Sequence, residues 1–131
     1  MIEKEQLILV IEDDEDIRKS LRTALEFEGY QVKTAVNGRE GMQALLSCEA
    51  FPALVLLDWM MPVMDGQEFL DAKSQDPALS DLPVIVVSAA GDRIPIPASV
   101  PYLKKPLDLD ELCALIQQEA VPAKEASRVA S

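Results

Sequence analysis

A chain of 131 residues, nearly half of them apolar, can bury one substantial core without metal or disulfide staples, which excludes wholesale disorder. A formal charge of −11 excludes nucleic acid or an anionic membrane as a partner held by bulk electrostatics. No histidine is present, so any imidazole chemistry has to come from another molecule. From the amino terminus, Leu7-Ile8-Leu9-Val10-Ile11 reads as a buried strand. Ile17, Leu21, Ala24 and Leu25 recur at helical spacing, with Arg18, Lys19, Arg22 and Glu26 on the opposite, polar face and Gly29 placed to end the helix. A shorter, more polar strand over about Gln31 to Ala35 suits a sheet edge. Asn37 with Glu40 forms a capping pair for a second helix carrying Met42, Leu45 and Leu46. Ala53 to Leu57 is a strand apolar on both faces, ending at Asp58. Gly66 to about Lys73 reads as a third helix with Phe69 and Leu70 inward, Asp76 to Leu82 as loop, and Pro83 to Val87 as a fourth strand ending at Ser88. A short fifth strand over Pro101 to Lys104 precedes a last helix, capped by Asp108 with Glu111 and bearing Leu109, Leu112, Leu115 and Ile116.

Strands alternating with helices predict an α/β fold, a doubly wound parallel sheet covered on both faces. Right-handed crossovers favour the flavodoxin-like order 2-1-3-4-5, which sets the carboxyl ends of strands one and three side by side. Residues 1–120 are expected to form one domain and 121–131 a disordered tail, because that tail has little to bury. Cys48 and Cys113 lie in separate helical segments without CxxC spacing, which suits buried thiols in a reducing cytoplasm. No signal peptide and no apolar run of membrane-spanning length is visible.

In this order, strand one delivers Glu12 and Asp13 to one rim of the sheet, strand three Asp58, strand four Ser88 and strand five Lys105. Clustered carboxylates repel one another unless a cation sits among them, and an all-oxygen set of this kind suits Mg²⁺. A cation there can neutralise a phosphoryl group while Lys105 and Ser88 hold its oxygens, which leaves Asp58 free to attack phosphorus. Taken singly, each residue has a plainer reading. The run Glu12 to Asp16 suits a helix start, Asp58 a turn, Ser88 a hydroxyl bonded to its own backbone, Lys105 a solvated cation and Tyr102 simple packing. The combination is what outweighs those readings.

The motifs Leu9-Val10-Ile11-Glu12-Asp13-Asp14, Leu57-Asp58-Trp59-Met60-Met61-Pro62-Val63-Met64-Asp65-Gly66, Val86-Val87-Ser88-Ala89 and Tyr102-Leu103-Lys104-Lys105-Pro106 resemble the receiver domains of two-component response regulators. The resemblance covers roughly Gln6 to Gln118. It implies that Asp58 is the phosphoacceptor and Asp13 a Mg²⁺ ligand, with Glu12 acting directly or through water and the Met60 carbonyl as a further ligand. It makes Ser88 the switch hydroxyl, Lys105 the phosphoryl contact and Tyr102 the aromatic switch, with a cis Lys105-Pro106 bond. The phosphoryl donor would be a sensor histidine kinase or a histidine phosphotransfer protein, and the receiver itself a cytoplasmic monomer or weak dimer without nucleic-acid or membrane contacts.

Two departures from the family stand out. The family places a full helix between strands four and five, but three prolines and a glycine between Gly91 and Pro101 predict a shortened helix or a loop here, since each interior proline costs about 3 kcal/mol. That loop, Gly91 to Val100, is expected to change order on phosphorylation. Met60 and Ala90, two residues beyond Asp58 and Ser88, offer no side-chain hydrogen bonds to place an attacking water, which predicts a long-lived aspartyl phosphate.

Other functions fit less well. An EF-hand needs a glycine that the run Asp13 to Arg18 lacks, and an acidic loop repels flavin phosphate. A phosphatase of the haloacid-dehalogenase type needs a second aspartate where Met60 stands. The remaining alternative is an atypical receiver acting as a phosphorylation-independent interaction module. No output segment follows Gln118, so the signal is expected to leave through protein contacts.

Overall fold

A computed structural model describes residues 6–47, 51–61, 63–89 and 96–120. The chain runs β1 (Leu7–Ile11), α1 (Glu15–Phe27), β2 (Gln31–Ala35), α2 (Gly38–Ser47), β3 (Leu54–Asp58), α3 (Gly66–Ser74), β4 (Val84–Ser88), β5 (Tyr102–Lys104) and α4 (Leu109–Glu119). The strands form one parallel sheet in the order β2-β1-β3-β4-β5, as the alternation predicts. Among the described residues no helix lies between β4 and β5; Val100 N–H closes a turn on the Pro97 carbonyl at 3.0 Å, and Ile96 and Val100 pack against the core. The anticipated loop of residues 91–100 lies outside the described residues over 91–95, as do Ala90, Cys48 and the tail 121–131.

The apolar runs of β1 and β3 are explained by two cores. Leu9, Ile11, Val55, Leu57 and Val86 face Leu45 of α2 and Phe69 of α3. Their neighbours Ile8, Val10, Leu54, Leu56 and Ile85 face Leu21 and Leu25 of α1 and Leu112 and Ile116 of α4. Successive side chains of a strand point to opposite faces, so a strand covered on both faces needs apolar residues throughout. Each fully buried Leu or Ile contributes roughly 1.5–3 kcal/mol through removal of apolar area from water.

Helix ends follow the expected chemistry. Asp14 caps α1 by accepting from Ile17 N–H at 3.1 Å. At the other end Gly29, at φ 102°, completes a Schellman motif in which Tyr30 N–H reaches the Leu25 carbonyl and Gly29 N–H that of Glu26. Asn37 Oδ1 accepts from Glu40 N–H at 2.8 Å, while Glu40 reaches back to Val36 N–H rather than to Asn37 itself. Two of the apolar residues that these helices carry are exposed, Leu46 at 67% and Leu109 at 39%. Leu46 stands one position, about 100° of helix, from the buried Leu45, and only one of the pair can face the sheet. Leu109 is the first residue of α4, three residues ahead of the buried Leu112. Lys73, at the polar end of α3, is buried instead, its Nζ donating to the Ser80 carbonyl at 2.9 Å.

Candidate functional site

Parallel pairing brings the strand ends to one rim. Ile11 pairs with Leu57, so Glu12 follows β1 where Asp58 closes β3. Asp58 pairs with Val87, and Ser88 with Lys104, which sets Lys105 one residue beyond the β4 end. The main chain fixes these junctions: Glu12 N–H donates to the Ala35 carbonyl at 3.0 Å, Trp59 N–H to that of Val87 at 3.2 Å, and Lys105 N–H to that of Ser88 at 2.9 Å. The Lys105-Pro106 bond is cis.

Glu12, Asp58 and Ser88 are buried although polar, whereas Asp13 is exposed. Lys105 Nζ donates to Glu12 Oε1 at 3.0 Å and to Asp58 Oδ1 at 3.4 Å. Glu12 Oε2 accepts from Asp14 N–H at 3.1 Å, so both oxygens of this buried carboxylate are engaged. Oxygens of Glu12, Asp13 and Asp58 all lie within 4.8 Å of one another. Burial, the Glu12 charge and a hydrogen bond to Asp13 push the Asp58 carboxyl up to about 7 against the opposing pull of Lys105. Burial pulls Lys105 down, but its bonds to Glu12 and Asp58 and their charges outweigh it, and the ammonium is held above its usual value.

One ammonium among three carboxylates leaves an excess of negative charge that resists the ionisation of Asp58. An all-oxygen donor set, one member exposed to solvent, fits a hard divalent cation that keeps part of its water shell. The remaining expected residues stand nearby in the fold but outside this cluster. Met60 lies two residues beyond β3 and is exposed, and Tyr102 opens β5 half-buried, packed against the core cluster that includes Phe69 and Val86. Arg18, read from periodicity as part of a polar outer face, instead donates from Nη1 to the carbonyls of Glu12 and Asp13. Helical spacing gives a side chain's direction around the axis and carries no signal for that reach.

A family model of the response regulator receiver domain matches residues 8–117. The chain belongs to that family. This receiver is 39% identical over 112 residues to response regulator MprA of Mycolicibacterium vanbaalenii, an alignment covering 82% of this chain and 47% of that protein. It is 38% identical over 118 residues to the uncharacterized transcriptional regulatory protein YkoG of Bacillus subtilis, covering 84% and 49%. The receiver thus spans about half the length of these curated relatives. Among solved structures it is similar to the signal receiver domain of a signal transduction histidine kinase from Syntrophus aciditrophicus, with TM-score 0.77, 28% identity and coverage of 86% and 88%. It is also similar to the N-terminal domain of a response regulator receiver protein from Methanoculleus marisnigri, with TM-score 0.66, 34% identity and coverage of 86% and 94%. Receiver domains pair with histidine kinases and are not enzymes in the usual sense. Among the described residues of this receiver no helix is long and apolar enough to cross a membrane.

Proposed function

We propose that this receiver is a phosphorylation switch in which Asp58 accepts a phosphoryl group from a phosphohistidine. The donor is a sensor histidine kinase or a histidine phosphotransfer protein, and the product changes protein contacts in the cytoplasm. The observation that carries this reading is the convergence of Glu12, Asp13 and Asp58 oxygens within 4.8 Å, with the Lys105 ammonium bonded to two of those carboxylates.

The chain's own groups suggest the course of transfer. An Asp58 carboxylate oxygen attacks phosphorus in line as the P–N bond to the donor imidazole breaks, and that imidazole leaves with the electron pair. Lys105, 3.4 Å from Asp58 Oδ1, moves from carboxylate to phosphoryl oxygen and neutralises charge that builds there. Ser88, buried at the adjacent strand end, supplies a hydroxyl donor to a second phosphoryl oxygen. Glu12, Asp13, Asp58 and the Met60 carbonyl would hold Mg²⁺, which when bound offsets the negative charge of carboxylates and phosphoryl group together. Tyr102, on the strand that leads to Lys105, is assigned the role of relaying the change to the β5 edge.

Intact mass after incubation with acetyl phosphate and Mg²⁺ tests this reading. Wild type is expected to gain one phosphoryl group, and Asp58→Asn, or wild type with Mg²⁺ chelated beforehand, none. A wild type that stays unmodified with both acetyl phosphate and a phosphorylated histidine-containing donor would instead make the site a phosphorylation-independent interaction module.

A further inference from the structure

The first turn of α1 opens with Glu15 and Asp16, carboxylates that suit the positive end of a helix dipole. Arg18 follows two residues after Asp16, a cation where that dipole opposes one, so its position calls for a compensating interaction. Helical side chains lean toward the amino terminus, and Arg18 uses that lean to reach back over the preceding loop. Its Nη1 donates to the Glu12 carbonyl at 3.0 Å and, in a longer contact, to that of Asp13 at 3.4 Å. Four carboxylates precede it from Asp13 to Asp16, yet among the described residues Arg18 forms no ion pair within 4.0 Å. Its donors go to the backbone of the two residues whose carboxylates enter the cluster with Asp58.

That backbone is otherwise fixed mainly on the Glu12 side, by Glu12 N–H on the Ala35 carbonyl, Lys105 on Glu12 Oε1 and Asp14 N–H on Glu12 Oε2. Arg18 extends the clamp across the Glu12–Asp13 peptide and so bears on where the exposed Asp13 carboxylate stands. We propose that Arg18 is a positioning residue for the divalent-cation site, an inference that rests on the Mg²⁺ reading above. Charge and position make opposite demands here, which gives the inference a sign. Removing a cation beside an acidic cluster favours Mg²⁺ on charge alone, whereas releasing the two carbonyls lets the loop relax and disfavours it.

Mg²⁺ titrations followed by fluorescence of Trp59, the sole tryptophan and the residue after Asp58, decide between them. Arg18→Met is expected to weaken Mg²⁺ about tenfold, the low end of losses on removing groups that support metal ligands. Arg18→Lys keeps the charge but lacks the guanidinium fork, and an intermediate loss of about threefold is expected. Arg22→Met, on the same helix in an exposed pair with Glu26, should bind as wild type does. Unchanged or tighter binding by R18M, wild-type affinity in R18K, or an equal loss in R22M overturns the inference. R18K decides alone should R18M not fold. A wild type that binds no Mg²⁺ by calorimetry overturns this inference together with the Mg²⁺ part of the function, whereas Mg²⁺ binding indifferent to Arg18 overturns the inference alone.

Discussion

Asp58 ionises against its surroundings, because it is buried and Lys105 bonds more closely to Glu12 than to it. With the folded value raised to about 7 from 3.8, the stability linked to this group is fully present below about pH 4 and is lost as pH rises through about 7. Asp58→Asn removes that loss. In chelator it is expected to exceed wild type by about 1–3 kcal/mol at pH 8, below the ceiling of about 4 that the full shift implies, and to match it near pH 4. Urea unfolding of both proteins at the two pH values checks this, and equal differences at the two would refute it. Lys105→Met leaves buried carboxylates without their cation. It is expected to destabilise the Mg²⁺-free protein by about 2–3 kcal/mol at pH 8, with part recovered on adding Mg²⁺.

At the scale of elements, helix placement on the sheet depends on small residues as much as on apolar ones. A Cβ on Gly41 of α2 would collide with the Ile11 side chain and touch Phe69, so this glycine lets the helix lie close over β1. Gly→Ala in a helix interior ordinarily stabilises by about 1 kcal/mol. Here overpacking, typically about 1–3 kcal/mol, is expected to win, so that Gly41→Ala lowers stability. Adding Ile11→Val removes the Cδ1 that the new methyl meets, and the double variant should recover most of the loss in thermal melts. The start of α3 is set independently by a capping box, Asp65 Oδ1 accepting from Glu68 N–H and Glu68 Oε1 from Asp65 N–H, each at 3.0 Å.

At the scale of the molecule, three acidic side chains from two distant parts of the sequence, Glu12, Asp13 and Asp58, meet at one place. The sheet buries its apolar side chains in two layers and brings Glu12, Asp13 and Asp58 to one rim, where the buried Asp58 bears on stability as well as on chemistry. Asp13, exposed and outside the core, gives the cleanest separation of the two. Asp13→Asn should leave melting in chelator within about 0.5 kcal/mol of wild type, as surface substitutions do. It should also lose most of the stabilisation Mg²⁺ gives by binding the folded state alone. Melting curves with and without millimolar Mg²⁺ measure both effects, and an undiminished Mg²⁺ response in the variant would remove Asp13 from the ligand set.

Strand identity and order, the parallel sheet and the cluster of Glu12, Asp13, Asp58 and Lys105 were legible because they rest on local pattern and on a rim that parallel topology makes inevitable. Buried strands announce themselves as unbroken apolar runs, and a charged residue directly abutting such a run has few places to go. The helix caps at Asn37 and Asp108 were legible for the same reason, being contacts three residues long. Tertiary structure decided what periodicity cannot resolve: which of Leu45 and Leu46 meets the sheet, that Lys73 is buried, and that Arg18 turns back onto the loop carrying the acids. It also decided how unevenly Lys105 shares its charge between Glu12 and Asp58, and it buried Asp58, which is the main cause of the raised carboxyl. Sequence pattern fixes which face of an element is apolar; distances of a few tenths of an ångström between elements are set only when all of them pack at once.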